Sequence, residues 1–138
     1  MTDGFNAPGV VEPFGIFTSA AWEPAGRVLH ISGHVAQDGD GNLVGDGDIA
    51  AQTRQVLENI HGVLAAAGGC MSDIARVTVY ITDMSGLADI HSVRAEYFDP
   101  PYPASTLVEV SALVRPEYMI EIDAVAVVPV ERATTPAS

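Results

Sequence analysis

The fold is decided by the stretch DIAAQTRQVLENIHGVLAAAGGCMSDIARVTVYIT, which covers residues 48–82. In its first part apolar residues recur every three or four positions, which predicts an amphipathic helix from Asp48 to Ala67, with Asp46 or Asp48 as its N-terminal cap. In its last part apolar and polar residues alternate, which predicts a half-buried strand over Ile74–Thr82. A long amphipathic helix joined to a half-buried strand indicates a domain in which helices pack on a sheet.

Turn residues and the same two periodicities predict the other elements. These are a β-hairpin with strands at residues 16–18 and 28–32, a helix from Leu87 to Phe98, and closing strands at Ser105–Val110 and Tyr118–Val128. The element order ββ-α-β-α-β-β predicts an α+β fold with both helices packed on one face of a single mixed sheet. We expect a single domain over residues 1–138, with an ordered core at about residues 10–129 and a short polar C-terminal tail.

The charge balance limits the classes of function. The chain of 138 residues has 18 acidic and 6 basic residues, a formal net charge of −12, and all of its basic residues are arginines. Without lysine, Schiff-base catalysis and phosphate-loop binding are excluded. Because nucleic-acid and anionic-membrane binding both depend on clustered cations, we expect neither a nucleic acid nor a membrane as a partner.

Cysteine content and targeting signals indicate which covalent or metal sites, and which cellular compartment, to expect. The single cysteine, Cys70, excludes an intrachain disulfide and a multi-cysteine metal site, and we expect it to pack in a turn. The acidic turn that begins at Asp38 lacks the glycine and the glutamate of a calcium loop, so no metal site is predicted. No apolar stretch approaches the roughly 18–20 residues of a membrane helix, and the first residues do not resemble a signal peptide. We therefore expect a cytoplasmic protein.

The last predicted strand has two different faces. Alternate residues from Ile120 to Val128 are apolar and suit packing under the helices, whereas the other face carries Glu121 and Asp123 among apolar residues. An apolar sheet face is too large to leave in water, so another subunit is expected to cover it. The sequence therefore predicts a homo-oligomer with carboxylates at or near a subunit interface, where they are suited to general acid/base chemistry.

Five segments in a fixed order carry a resemblance to a known family: Ile31-Ser32-Gly33-His34 and residues 50–64, 74–83, 102–110 and 120–127. Through them the chain resembles the RidA/YjgF family of small imine/enamine deaminases. The resemblance implies a chorismate-mutase-like α+β fold, assembled as a homotrimer around a central β-barrel with small-molecule sites at the subunit interfaces. It also implies hydrolysis of 2-imino or enamino acids to 2-keto acids and ammonia, with no cofactor and no metal.

The resemblance also assigns site residues. Glu121 matches the glutamate that handles water, and Ser32 and Gly33 match the Ser-Gly pair whose backbone groups orient the substrate. The family's aromatic position falls on Phe14, where many relatives have tyrosine. A polar position on the second helix, which is often asparagine, falls on His91.

One position departs from the family's deaminating branch. Ser105 stands where that branch has an arginine that binds the substrate carboxylate, and the Ser105 and Thr106 hydroxyls are expected to contact the substrate instead. Loss of a bidentate arginine contact typically weakens binding roughly 100-fold or more. Arg115, in the loop before the last strand, is the nearest candidate replacement.

Two functions therefore stay open. The first is a cofactor-free hydrolytic deaminase with Glu121 as its catalytic residue. The second is a non-catalytic trimer that binds a small metabolite and has lost 2-imino acid deaminase activity, as Ser105 indicates. Ribonuclease activity, which has been described for some relatives, is disfavoured by the acidic, lysine-free composition.

Overall fold

The computed structural model describes residues 3–137. In this part of the chain the strands are β1 (Asp3–Phe5), β2 (Ala20–Trp22), β3 (Arg27–His34), β4 (Ile74–Ile81), β5 (Ala104–Glu109) and β6 (Ile120–Val128), and the helices are α1 (Ile49–Ala66) and α2 (Leu87–Tyr97). Short 3-10 turns at Met71–Asp73 and Met84–Gly86 precede β4 and α2. None of the helices formed by residues 3–137 is long and apolar enough to cross a membrane.

The main sheet has four strands in the order β3-β6-β4-β5. β4 and β5 run parallel, whereas β6 is antiparallel to both of its neighbours, β3 and β4. Both helices pack on one face of this sheet, so the predicted α+β architecture with a mixed sheet is confirmed.

The core lies between the helices and this face, which we call the helix face. It is formed by alternate side chains of the central strands against the apolar stripe of α1: Val77, Val79 and Ile81 of β4, Ile120, Ile122, Ala124 and Ala126 of β6, and Val56, Leu57, Ile60 and Leu64 of α1. Opposite pairs such as Val77↔Ala124 and Val79↔Ile122 fix the register, because a slip of one residue would expose every one of them. The other face, which we call the open face, carries no helix formed by residues 3–137.

Helix α1 begins and ends where the sequence predicts. Asp48 is the N-cap, and its Oδ1 accepts a hydrogen bond from the Ala51 N–H at 3.1 Å. The helix stops at Ala67 and is followed by Gly68 with a φ of +81°. A Cβ at position 68 would overlap the carbonyl oxygen of Arg132, so both the backbone conformation and the close contact require glycine.

The predicted hairpin of residues 16–18 and 28–32 is wrong. β2 pairs with β1 in a separate two-stranded sheet, and β3 pairs with β6. Of residues 16–18, Thr18 forms an isolated parallel bridge to Ala104 at the edge of β5. The pairing of β3 with β6 buries Ile31 on the helix face, so tertiary packing outweighs the local turn signal at residues 23–26.

Hydrogen-bonded structure extends beyond residues 10–129 at both ends. β1 lies before residue 10, and in the C-terminal tail the Thr134 N–H donates to the Ala67 carbonyl at 3.0 Å. The Arg132 guanidinium pairs with the Asp73 carboxylate, with Nη2 and Oδ1 3.1 Å apart. The side chain of Cys70, beside this pair, is exposed, so the expected packing role for the thiol is wrong.

Candidate functional site

Helix α2, the edge strand β5 and the segment before β2 enclose a cavity of about 300 Å³. Its lining is mostly apolar and consists of Phe14, Phe17, Met84, Leu87, His91, Arg94, Ser105 and Leu107. Ser105 pairs with Val77, a core residue, so the register places Ser105 and Leu107 on the helix face, toward α2. A mostly apolar concavity with a few polar groups is the usual character of a small-molecule site.

Arg94 is the charged group of this cavity. Its side chain projects from the buried stripe of α2, and the residue is only 2% exposed. Nη2 donates hydrogen bonds to the Ile16 carbonyl at 3.1 Å and to Ser105 Oγ at 3.2 Å. Within residues 3–137, neither Nε nor Nη1 of Arg94 has a hydrogen-bond partner. Every fully buried side-chain nitrogen in that range does have one. These two nitrogens are therefore not fully buried, and Arg94 is part of the cavity lining.

The electrostatics of the cavity are set by a cation that no lining residue neutralises. Burial lowers the pKa of Arg94 to about 10, which still leaves the guanidinium charged at neutral pH. None of the lining residues is acidic. Because a buried charge without a counter-charge is unfavourable, this arrangement favours binding of an anion.

His91 and Phe14 complete the entrance to the cavity. A Cβ at position 15 would come within 3.0 Å of His91 Cε1, so Gly15 lets the backbone pass directly against the imidazole. Burial, and then the charge of Arg94, lower the pKa of His91, so this imidazole is neutral at pH 7. Phe14 is 82% exposed and meets Phe17 edge to face, with ring centroids 5.6 Å apart. It therefore forms the rim of the cavity.

Glu121 lies elsewhere, on the open face. It pairs with Tyr80 across β4 and β6, and its carboxylate rests against Gly33. A Cβ at position 33 would overlap Glu121 Oε2, so only glycine admits the carboxylate there. Beside it, Tyr80 Oη donates to Asp123 Oδ2 at 3.0 Å, and this hydrogen bond raises the pKa of Tyr80. We assign Asp123 the structural role of holding Tyr80.

Within one chain the predicted site residues fall into two groups. The cavity brings together Phe14, His91 and Ser105, whereas Ser32, Gly33, Thr106 and Glu121 lie away from it, and Arg115 is exposed in a loop outside the lining. Thr106 pairs with Thr78 and faces the same way as Glu121. Because β4 lies between β6 and β5, Glu121 is about 10 Å across the sheet from β5. It also lies on the open face, whereas the cavity lies on the helix face. One chain therefore does not bring Glu121 to its own cavity.

Arg94 is the charged cavity residue that the sequence did not single out. The sequence places it on the apolar stripe of α2, between Ile90, Val93 and Tyr97. A charged residue in such a stripe is a signal, because arginine is rarely fully buried without a partner. Its proximity to Ser105, however, depends on how α2 lies over β5, and no local pattern reports that arrangement.

Within residues 3–137, no group of three or more His, Cys, Asp or Glu side chains is placed to hold a metal ion.

Comparison with known proteins places the chain in a family. Residues 8–128 match the family model described as endoribonuclease L-PSP. The chain belongs to this family. A RutC family protein of Pyrococcus horikoshii is 44% identical over 121 residues, which cover 88% of this chain and 91% of that protein.

Solved structures similar to this chain have the same fold. A Rid family protein of unknown function from Yersinia pestis is 37% identical, with a TM-score of 0.85, over 92% of this chain and 98% of that chain. RidA from an Antarctic Psychrobacter bacterium is 30% identical, with a TM-score of 0.69, over 93% of this chain and 97% of that chain. The resemblance to the RidA/YjgF proteins is therefore confirmed.

Proposed function

We propose that this chain is a cofactor-free hydrolytic deaminase of reactive imines or enamines. The observation that carries the proposal is the position of Glu121, whose carboxylate lies on the open face against the backbone of Gly33. A half-buried carboxylate can take a proton from water and return it. Membership of a family that includes RidA agrees with this role.

The complete site is proposed to form between subunits of a homotrimer. Glu121 and the cavity lie on opposite faces of one sheet, so a second chain has to supply one of them. The open face also exposes apolar side chains at both sheet edges, since Val28 of β3 and Val108 of β5 are 42% and 40% exposed. A neighbour packed on this face would bury these valines and place its cavity beside Glu121.

The proposed reaction consumes one water and releases one ammonia. The oxygen of water adds to the carbon of the protonated imine (C=NH2+) while Glu121 takes a proton from that water, which gives a carbinolamine. Glu121 then returns this proton to the amine nitrogen, the C–N bond breaks with loss of ammonia, and the hydroxyl loses its proton to solvent as the carbonyl forms. An enamine enters the same sequence after protonation at carbon converts it to the protonated imine. His91, which is neutral, can orient the nitrogen by a hydrogen bond.

The contact between Arg94 and Ser105 weakens the argument for the non-catalytic alternative. A binding protein that has lost catalysis was inferred from Ser105, but Ser105 accepts a hydrogen bond from Arg94, so the cavity keeps a cation. Ribonuclease activity remains disfavoured, because Arg54 and Arg132 are paired with carboxylates and Arg94 is buried in a chain of net charge −12.

Ammonia release from imines generated in the assay by an amino acid oxidase tests the proposal. We expect Glu121→Gln to lower the rate at least about 100-fold, the usual contribution of a positioned acid/base group. Asp123→Asn is the matched control, since it makes the same chemical change on the same face of β6, and its rate should stay within about threefold of the wild type. Deamination is excluded if wild type and Glu121→Gln release ammonia at the same rate from 2-imino acids and from neutral enamines.

Mixed oligomers test whether subunits share the site. Leu107→Trp fills the cavity, so a chain with this change keeps Glu121 but cannot accept substrate. When equal amounts of Leu107→Trp and Glu121→Gln chains are refolded together, about a quarter of wild-type activity should return, because one random pairing in four joins an intact cavity to an intact glutamate. If the mixture is no more active than its two parents, the site lies within one chain.

A further inference from the structure

The buried arginine of the cavity has no carboxylate partner, in a chain rich in carboxylates. The chain has 18 acidic residues, and the ion pairs formed within residues 3–137 join Arg54 to Glu96, Arg132 to Asp73 and His61 to Glu58. Arg94 is the most buried arginine, and both of its hydrogen-bond acceptors are neutral oxygens. A cation held in this way is stabilised when an anion arrives from outside the chain.

We propose that Arg94 takes the place of the arginine that the deaminating branch has at position 105, and that it binds the carboxylate of the substrate in this cavity. This rests on the proposed function, because it assigns a substrate-binding residue of the same site. Arg94 lines the cavity and its Nε and Nη1 have no protein acceptor within residues 3–137, while the rest of the lining is largely apolar. Charge-assisted hydrogen bonds from arginine to a carboxylate are about twice as strong as neutral ones.

Ser105 is the positioning residue for this guanidinium. Its Oγ and the Ile16 carbonyl take the hydrogen bonds of Nη2, which fixes the plane of the group before a ligand binds. A preorganised arginine loses less side-chain entropy on binding than a mobile one. Ser105 thus positions an arginine that α2 supplies.

The cavity favours a carboxylate over a phosphate. Arg94 is the only charged side chain in its lining, so a dianionic phosphate would be only half neutralised there. A planar carboxylate matches the planar guanidinium and needs a single positive charge. Phe17, Leu87 and Leu107 lie in the same lining and can cover an apolar tail, and the volume of about 300 Å³ restricts the ligand to a small molecule.

Calorimetric titration of the assembled wild-type protein with hexanoate and with hexanamide tests the inference without any substitution. The two probes have the same shape and differ in charge, so we expect hexanoate to bind at least about tenfold more tightly at pH 7. Equal affinity for the acid and the amide would overturn the inference, because binding would then be apolar only. Catalysis is not needed for this measurement.

Variants assign the charge to its residue. Arg94→Gln should weaken hexanoate binding about 100-fold, Arg94→Lys by less, and Ser105→Ala by several-fold, while all three leave hexanamide binding unchanged. Arg76→Gln, which removes an exposed arginine from β4, is the matched control and should not alter affinity. Undiminished hexanoate binding by folded Arg94→Gln, or loss of binding in Arg115→Gln alone, would contradict the assignment.

The two proposals fail in different ways. If hexanoate binds through Arg94 but no imine is hydrolysed, the ligand class stands and deamination is wrong. If ammonia is released from neutral enamines while hexanoate binds no better than hexanamide, deamination stands and the role of Arg94 is wrong.

Discussion

Two arginines of this chain differ in whether a carboxylate of the chain neutralises them. Arg132 reaches from the C-terminal tail to Asp73, a carboxylate that is 1% exposed, and its Nη2 lies 3.1 Å from Asp73 Oδ1. Arg94 is itself buried, and among residues 3–137 its guanidinium donates hydrogen bonds only to the Ile16 carbonyl and the Ser105 hydroxyl. The first charge is matched inside the chain, whereas the second is left for a ligand. Where a protein buries a charge without a matching one, binding is a better explanation than stability.

Removal of the Arg132 charge, which is paired with Asp73, should have the largest effect on stability. Arg132→Gln leaves the buried Asp73 carboxylate with fewer donors, so the thermal unfolding midpoint should fall by about 5 °C or more. Calorimetry at pH 7 measures this change, and hexanoate affinity should be unaffected. An unchanged midpoint would mean that the tail pair contributes nothing.

The pH dependence of this stability difference follows from the pKa of Asp73. Burial acts to raise the pKa of Asp73, but hydrogen bonds from Arg132 and from the Cys70 amide outweigh it and hold the pKa below its ordinary value of 3.8. A carboxyl whose pKa is lowered by folding stabilises the fold above pH 3.8, and this stabilisation is lost as the pH falls through the folded value. Wild type and Arg132→Gln should therefore converge in stability as the pH falls below the folded pKa of Asp73.

Removal of the unmatched charge should have a smaller effect on stability and of the opposite sign. Arg94→Met keeps much of the side-chain volume and abolishes a buried cation, so the unfolding midpoint should rise by about 2–4 °C while hexanoate binding is lost. Differential scanning calorimetry of the ligand-free protein measures this. A drop as large as that of Arg132→Gln would show that Arg94 is a structural residue, and the contrast between the two arginines would disappear.

The fold was predictable where side-chain periodicity alone determines structure. α1 and β4 were predicted to within about one residue, because burial of one face imposes a period that the sequence displays. The hairpin was wrong, because β3 gains more by pairing with β6 and burying Ile31 than with the residues beside it in sequence. Local turn signals do not report which distant strand will compete for an edge.

The structure groups the predicted residues of the candidate site differently from the sequence prediction. Phe14, His91 and Ser105 do line one cavity, but Glu121 lies on the other face of the sheet. The sequence pointed to Arg115 as the missing cation, whereas the cavity contains Arg94. That difference comes from the packing of α2 over β5, which brings residues 94 and 105 within 3.2 Å through tertiary contacts that leave no local pattern.

The imidazole of His91 reports the state of Arg94 most directly. Burial and the charge of Arg94 lower the pKa of His91 below 6.5, so the fold loses stability as the pH falls below that value. A carboxylate bound to Arg94 offsets the charge that His91 experiences, whereas a neutral amide of the same shape does not. Titration of the His91 Cε1–H resonance with hexanoate, hexanamide or no ligand therefore tests whether Arg94 binds an anion. We predict that hexanoate raises the pKa of His91 and hexanamide does not; a pKa that stays the same or falls with hexanoate would contradict an anion on Arg94.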